Sequence, residues 1–331
     1  MHKIARVVFG RTESALLAAT LVTGVILSLS SPYFLTLSNM VNLVEAYTVT
    51  TILAAGVFVV LVSGGIDISF TAIASATQYL GAYLVTQLGF SGALALPLAA
   101  ALGAAMGCVN ALLTYYLRVA SIIVTIATSS IYYALLIYFT DAQEIYNLPD
   151  WWSGRITLFR FATSSGAVRI TLPIAIMVAV VALTQYLMRW ARAGRQIYAL
   201  GGNPEAATRI GVGVLRIQLL AHGYLGFLAA VAGFVQASRV HQAVPTAMAG
   251  QELNVLAVAI LGGASLVGGV GSMGGAALAV VFLALLQNGL NLLGVSSYFF
   301  GVVTGSAILA SISMTGYAET HARKRYVPGA A

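Results

Sequence analysis

Residues 48–69 read TVTTILAAGVFVVLVSGGIDIS, and this stretch decides the class of fold. It completes an apolar run, residues 43–63, that matches the roughly 20 residues a helix needs to cross the hydrocarbon of a membrane. A glycine pair breaks the run, and Asp67 and Ser69 follow, whose side chains can accept hydrogen bonds from free N–H groups of a next helix. The polar break is interpreted either as a capped turn at the membrane edge or as part of a gated passage.

The composition places the whole chain in a membrane. Of its 331 residues, 60% are hydrophobic and 8% are charged, whereas a soluble domain carries about 25% charged residues. The net charge of +7 does not indicate nucleic-acid binding, because the basic residues lie in short segments between apolar runs. Cys108 is the only cysteine, so no disulfide bond can form within the chain.

About ten apolar runs predict membrane-spanning helices. They lie near residues 14–31, 43–63, 70–89, 92–117, 120–140, 169–189, 218–238, 252–267, 273–293 and 297–316. Because polar backbone groups in lipid must be satisfied internally, we predict an all-α polytopic bundle with broken or re-entrant segments. Runs such as residues 176–183 do not alternate in polarity, which excludes a barrel. We expect residues 1–331 to form one transmembrane domain, whose first run is a retained helix rather than a cleaved signal peptide.

Lysine and arginine residues predict the orientation, because they are enriched in cytoplasmic segments. With the N-terminus inside, the outside segments hold only Arg155, Arg160, Arg169 and Arg239. Both termini are then cytoplasmic, with a long external loop at about 141–167 and a long internal loop at about 190–217. The external loop carries Trp151, Trp152, Phe159 and Phe161. We interpret these side chains as an interfacial aromatic belt, with a docking surface for a partner as the alternative.

Glycines mark two kinds of feature in the predicted spans. Helix breaks are expected at Gly64, Gly65, Gly262 and Gly263, and such breaks in both halves of a chain point to discontinuous helices near a transport site. Small residues four apart, which allow close helix packing, occur at Gly103 and Gly107, Gly271 and Gly275, and Gly301 and Gly305.

The internal loop contains a short predicted helix that begins at Asn203. Asn203 is a favourable N-cap, Pro204 suits the first helical position, and Glu205 suits the positive end of the helix dipole. Ala206 and Ala207 would permit close docking, Arg209 follows them, and Gly211 ends the helix. The segment is either an ordinary surface helix or a peg that fits into a cytoplasmic partner.

Polar side chains inside spans are candidates for a solute pathway, because each is costly in lipid unless it faces protein or water. The candidates are Glu45, Asp67, Thr125, Ser129, Tyr133, Asn288 and Asn291. Hydroxyls, amides and aromatic rings suit a polyol, but the same groups also join helices to one another, and the sequence leaves both roles open. His222, a single histidine in a span, is interpreted as a packed, hydrogen-bonded residue rather than a metal ligand.

No motif for bond chemistry is present. The glycine-rich residues 262–275 lack the Gly-Lys-Ser/Thr ending of a nucleotide-binding loop, and neither a Gly-x-Ser-x-Gly elbow nor a His-Glu-x-x-His zinc motif occurs. We therefore expect no bound cofactor, no metal site and no catalytic residue in this chain.

Several strings, in this order, resemble the permease subunits of ribose-type ABC importers, in the family that also holds branched-chain amino-acid permeases. The strings are Leu53-Ala54-Ala55-Gly56 with Gly64-Gly65-Ile66-Asp67-Ile68-Ser69, then Gly194 to Gly211, Glu252-Leu253, Gly262 to Gly269, and Asn288 to Tyr298. The resemblance covers residues 38–310. Departures from the family pattern stand at Ile131-Tyr132, Ala120-Ser121 and Phe70, which affects the choice of solute rather than the internal loop.

The resemblance implies a type II-importer-like permease of the bacterial inner membrane that translocates a sugar or sugar-like solute. It implies a dimer with itself or a relative, a solute-binding protein outside, and ATPase subunits that use ATP and Mg²⁺ and dock on a coupling helix within residues 203–211. Alternatives are an ABC permease for nucleosides or another polar metabolite, or an ion-coupled secondary transporter. The positions of Asp67 and Glu45 near span ends count against the buried acidic relay of a secondary transporter.

Overall fold

Helices form nearly all of the regular structure in the computed structural model, which describes residues 11–153, 156–163, 166–306 and 309. The helices are α1 (Arg11–Ser30), α2 (Leu37–Ala46), α3 (Thr48–Val62), α4 (Phe70–Thr86), α5 (Gly92–Leu117), α6 (Ser121–Thr140), α7 (Asp150–Ser153), α8 (Leu172–Arg189), α9 (Arg192–Gly202), α10 (Pro204–Arg209), α11 (Val214–Val240), α12 (Glu252–Leu261) and α13 (Met273–Leu292). A 3₁₀ turn spans Ser297–Phe299.

Six helices of the described part are long and apolar enough to cross a membrane, namely α1, α5, α6, α8, α11 and α13. The pair α2 and α3, bent by 46° at Tyr47, would make a seventh. The count of ten spans is not confirmed. Helix α4, with 17 residues, and α12, with 10, are shorter than the roughly 20 residues that a straight membrane-spanning helix needs. Residues 300–306 of the last predicted span, 297–316, are helical, and residues 307, 308 and 310–316 lie outside the described residues.

Helix α11 is the centre of the bundle. Of its membrane-length window 61% is buried, against 17% for α1 and for α6, which therefore lie at the periphery. Gly107 of α5 packs on the backbone of α11 so closely that a Cβ there would lie 2.1 Å from the carbonyl oxygen of His222. Gly103 is equally tight, 2.5 Å from the carbonyl oxygen of Gly226. This pair therefore provides the close helix contact expected from its spacing.

The other two glycine pairs do not act in this way. Gly271 precedes α13 in a loop, with φ +148°, so it does not share a helix with Gly275. A Cβ at Gly301 or Gly305 would meet no atom of the described residues within 4 Å. The spacing of small residues alone therefore overestimates helix contacts.

The external loop contains the one departure from an all-helical fold in the described residues. Strands β1 (Thr157–Thr163) and β2 (Gly166–Thr171) pair antiparallel, so α8 begins at Leu172 rather than at 169. Trp152 is 5% exposed and its indole N–H donates to the carbonyl of Phe234 at 3.1 Å. Phe159 and Phe161 are exposed, so the aromatic side chains of this loop divide into a buried anchor and an outer surface.

Candidate transport site

Residues 64–69 cross the interior of the bundle as non-helical backbone between α3 and α4. Buried backbone needs hydrogen-bond partners, and the first turns of α6 provide them. The N–H of Ile66 donates to Ser121 Oγ at 2.8 Å. The N–H of Ile68 donates to Thr125 Oγ1 at 3.4 Å, and that hydroxyl lies 3.4 Å from the carbonyl of Ile66. Thr125 therefore supports the extended segment.

Asp67, on this extended segment, is only 2% exposed and is bonded on both carboxylate oxygens. Oδ1 accepts from the N–H and the hydroxyl of Ser69 at 2.8 and 2.7 Å. Oδ2 accepts from Nδ1 of His222 at 2.7 Å and from Nδ2 of Asn110 at 3.3 Å. The Asn110 amide also donates to Ser69 Oγ at 2.7 Å. A single carboxylate thus joins the extended segment to α5 and α11.

Asp67 lies between the end of α3 at Val62 and the start of α4 at Phe70. The segment runs along α6 from Ser121 to Thr125, and this path places the carboxylate inside the protein, where it is 2% exposed. A position near the ends of two helices is therefore compatible with burial among the others.

Glycines from three segments meet at the α3 end of this path, and we call Gly64, Gly201, Gly202, Gly268 and Gly269 the glycine junction. The N–H of Gly269 donates to the carbonyl of Val62 at 2.9 Å. A Cβ on Gly201 would lie 1.9 Å from that carbonyl oxygen and 2.6 Å from the nitrogen of Gly269. Gly64, Gly268 and Gly269 have φ of +88°, +95° and +72°, which favours glycine.

The remaining expected break residues lie next to this junction. Gly65 faces the imidazole of His222, since a Cβ there would be 3.5 Å from Nε2. Gly262 follows the end of α12 and packs on the backbone of α13, where a Cβ would be 2.4 Å from Cα of Ala276. Gly263 has φ +91° and starts the loop that leads to Gly268.

Helix α10 projects from the junction in the loop between α8 and α11. The side chain of Asn203 accepts from the N–H of Ala206 at 3.0 Å, and Pro204 occupies the first turn. Ala207 is 2% exposed and anchors the helix, whereas its neighbours are exposed. The Glu205–Arg209 pair is 4.0 Å apart with side chains 87% and 83% exposed, and Gly211 (φ +85°) ends the segment. A helix of about one and a half turns is therefore exposed to solvent shortly after Gly202.

A second polar group lies further along α6. The hydroxyl of Thr71, at the start of α4, donates to Oε1 of Glu252, the first residue of α12, at 2.6 Å. Tyr133 of α6 places its hydroxyl beside Thr71 and Ser75. Tyr133 is among the site residues predicted from the sequence, whereas Thr71, Ser75 and Glu252 are not. The spacing of Thr71, Ser75 and Gln78, at i, i+4 and i+7, was the available signal for a polar helix face.

The other candidates do not join this group. Asn288 forms a reciprocal amide pair with Asn39 of α2, with N–O distances of 2.9 and 3.0 Å, which joins two helices. Asn291 is exposed on α13, and Glu45 is half-buried on α2. Ser129, 9% exposed, lies on the same face of α6 as Thr125 and Tyr133.

Residues 39–312 match the family model described as branched-chain amino acid transport system / permease component. The chain is 34% identical over 301 residues to the ribose import permease protein of Escherichia coli (strain K12), covering 91% of this chain and 92% of that protein.

Two further relatives extend the comparison. The ribose import permease protein of Bacillus subtilis (strain 168) is 35% identical over 288 residues, 87% of this chain and 88% of its own. The D-allose transport system permease protein of Escherichia coli (strain K12) is 30% identical over 290 residues, 87% and 86%. No solved structure matches. The chain belongs to the family of branched-chain amino acid transport system permease components.

Proposed function

We propose that this protein is the membrane-spanning subunit of an ATP-driven ABC importer that translocates a sugar or a sugar-like polar solute. Its relatives include permease proteins for ribose, for D-allose and for galactose with methyl galactoside. Uncharged hydroxyls line the face of α6 next to the broken span, which suits a solute that carries many hydroxyl groups. Nucleosides, which contain a pentose, are the second group of solutes to test.

The main structural support for coupling between an ATPase and the transport path is the continuous contact from α10 to the extended segment. Helix α10 follows Gly202 after a single residue, Asn203. Gly201 touches the carbonyl end of α3, and Gly64 there begins the extended segment that holds Asp67. Backbone that packs directly on backbone transmits displacement, because no flexible side chain lies between the two segments. A displacement of α10 is therefore transmitted over a short path to the extended segment, residues 64–69.

In this proposal two ATPase subunits dock on residues 203–211 from the cytoplasm, and Ala206 lies at the contact. ATP and Mg²⁺ belong to those subunits, and this chain holds neither. A solute-binding protein delivers the sugar from outside, and a second permease subunit, identical or related, completes the passage. The chain forms one domain with about ten spans. It lies in the bacterial inner membrane with both termini in the cytoplasm.

The buried Asp67–His222 pair raises the question of an ion-coupled transporter, because buried acids and histidines form proton relays in such proteins. Asp67 lies between two helices but is buried in the bundle, so its position near helix ends does not by itself argue against that class. Both carboxylate oxygens of Asp67 are, however, already hydrogen-bonded within the protein. Together with the family membership, this assigns the pair to holding the broken span in place.

Reconstitution of the full complex in proteoliposomes tests the proposal. The wild-type chain, its ATPase subunits and its binding protein should accumulate radiolabelled D-ribose, D-allose, D-galactose or adenosine only when ATP is supplied. Uptake that survives without ATP, driven by an ion gradient, would contradict an ABC importer.

Ala206→Glu tests the docking helix. The added charge and bulk should abolish ATP-driven uptake, while the Tm stays near the wild-type value because Ala206 is exposed. Ala93→Glu is the matched control, since Ala93 is also exposed but lies in the first turn of α5, on the side of the external loop. Uptake that remains normal in Ala206→Glu would remove α10 from the coupling step.

A further inference from the structure

The hydroxyl side chains along one face of α6, which we call the hydroxyl stripe, fall into two groups. One group forms hydrogen bonds within the fold and the other does not. Ser121 and Thr125 hydrogen-bond the backbone of the extended segment, as described above. Tyr133, two turns beyond Thr125 on the same face, places its buried hydroxyl beside those of Thr71 and Ser75, but it forms with neither a hydrogen bond of normal geometry. The hydroxyls of Ser121 and Thr125 therefore stabilise the fold through hydrogen bonds, and the hydroxyl of Tyr133 does not.

Unpartnered polar atoms are concentrated at the same place on α4. Ser75 and Gln78 are both 0% exposed, and both Ser75 Oγ and Gln78 Oε1 lack a hydrogen-bond partner in the described part of the chain. Folded proteins leave few buried polar groups unsatisfied, because each costs about 1–3 kcal/mol. Neighbouring unsatisfied groups on α4 and α6 therefore indicate hydrogen bonds that the fold itself does not supply.

The walls of this cluster show which ligand suits it. Helices α4 and α12 begin here, and Thr71 and Glu252, in their first turns, are hydrogen-bonded to each other. The nitrogen of the Gln78 amide donates to the carbonyl of Val244 at 2.8 Å, so its oxygen is left as an acceptor. Hydroxyls that donate and accept, an acceptor amide oxygen and a carboxylate match the hydroxyl groups of a neutral polyol. The carboxylate of Glu252 disfavours an anionic solute.

We propose that Ser75, Tyr133, Gln78 and Glu252 form the site at which the solute's hydroxyl groups are hydrogen-bonded during translocation, with Thr71 holding the carboxylate in position. This inference rests on the proposed function and specifies where in the protein the sugar binds. In the conformation described here the site is closed, since Ser75 and Gln78 are inaccessible. Separation of α4 from α6 and α12 would open it, and α4 is the helix that follows the extended segment.

Ser75→Ala and Tyr133→Phe test the site in the reconstituted full complex, with D-ribose, D-allose and D-galactose as probes. At sugar concentrations below saturation, each variant should lower ATP-driven uptake roughly fivefold, the effect of one lost hydrogen bond. Their Tm should be unchanged or higher, because a buried hydroxyl without a partner stabilises nothing. Tyr138→Phe and Ser130→Ala, at exposed positions of α6, are matched controls and should leave uptake unchanged.

Thr125→Val provides the structural comparison, since it should lower the Tm through the lost bonds to residues 66 and 68. Normal uptake in both Ser75→Ala and Tyr133→Phe would overturn the site. A Tm that falls in parallel with uptake would also overturn it, because the hydroxyls would then be structural. If the wild-type complex shows no ATP-driven uptake of any probe, the proposed function fails and the site assignment falls with it.

Discussion

Asp67 shows at the residue scale how a polar side chain is kept inside an apolar bundle. Its carboxylate is surrounded by donors from Ser69, Asn110 and His222, which come from three different segments. Isolated charge is very unfavourable in such surroundings, so each donor contributes more than it would in water. The network therefore fixes the extended segment relative to α5 and α11.

Replacing His222 by Ala should destabilise the protein measurably. The variant removes one donor from Asp67 Oδ2 and leaves a cavity the size of an imidazole, which together should cost roughly 2–3 kcal/mol. The measurement is the Tm of the purified protein in detergent. His241→Asn is the control, because His241 is exposed and has φ +61°, a conformation that Asn tolerates. Equal Tm values for both variants would show that the His222–Asp67 bond contributes nothing.

The glycine junction is the feature that matters at the element scale. Helices α3, α9 and the loop before α13 approach each other there at backbone contact, and a Cβ on Gly201, Gly268 or Gly269 would lie 1.9, 2.6 or 2.4 Å from a backbone atom. The same contact connects α10 with the extended segment, residues 64–69. The junction therefore has both a packing role and, in the proposed function, a mechanical one.

Gly201→Ala should separate these elements, whereas Gly202→Ala should not. A Cβ at 201 would lie 1.9 Å from the carbonyl oxygen of Val62, while the nearest atom to a Cβ at 202 is 3.9 Å away. We expect Gly201→Ala to cost about 1–3 kcal/mol or more, by overpacking, and to reduce uptake per ATP hydrolysed. Gly202→Ala should match the wild type in Tm and in that ratio. Similar ratios for both variants would contradict a mechanical role for the junction.

At the scale of the whole molecule, buried and lipid-facing helices follow the distribution of small and large apolar side chains. Helix α11 carries glycines and alanines on its buried faces, while α1 and α6 expose side chains such as Leu29 and Phe139. Lipid is as apolar as these side chains, so their exposure carries no penalty in a membrane. Packing density, rather than hydrophobicity, therefore determines which helices are buried in the bundle and which face lipid.

Orientation in the membrane can be tested with single cysteines in a Cys108→Ala background. Glu205→Cys, on α10, should react with a membrane-impermeant maleimide only after the cells are permeabilised, because basic residues place this loop inside. Gln143→Cys, exposed in the external loop, should react in intact cells. The opposite labelling pattern would reverse the orientation and rule out docking of a cytoplasmic ATPase on α10.

The sequence alone determined the class of fold, the apolar runs and the local form of α10, because hydropathy, helix capping and proline positions act over a few residues. The same local signals gave the breaks at residues 64 and 262. Tertiary contacts establish that Asp67 is buried, that Gly201 and Gly269 meet at α3, and that Thr125 supports the backbone while Tyr133 does not. These features depend on contacts between segments far apart in the chain, and such contacts cannot be predicted from patterns of neighbouring residues.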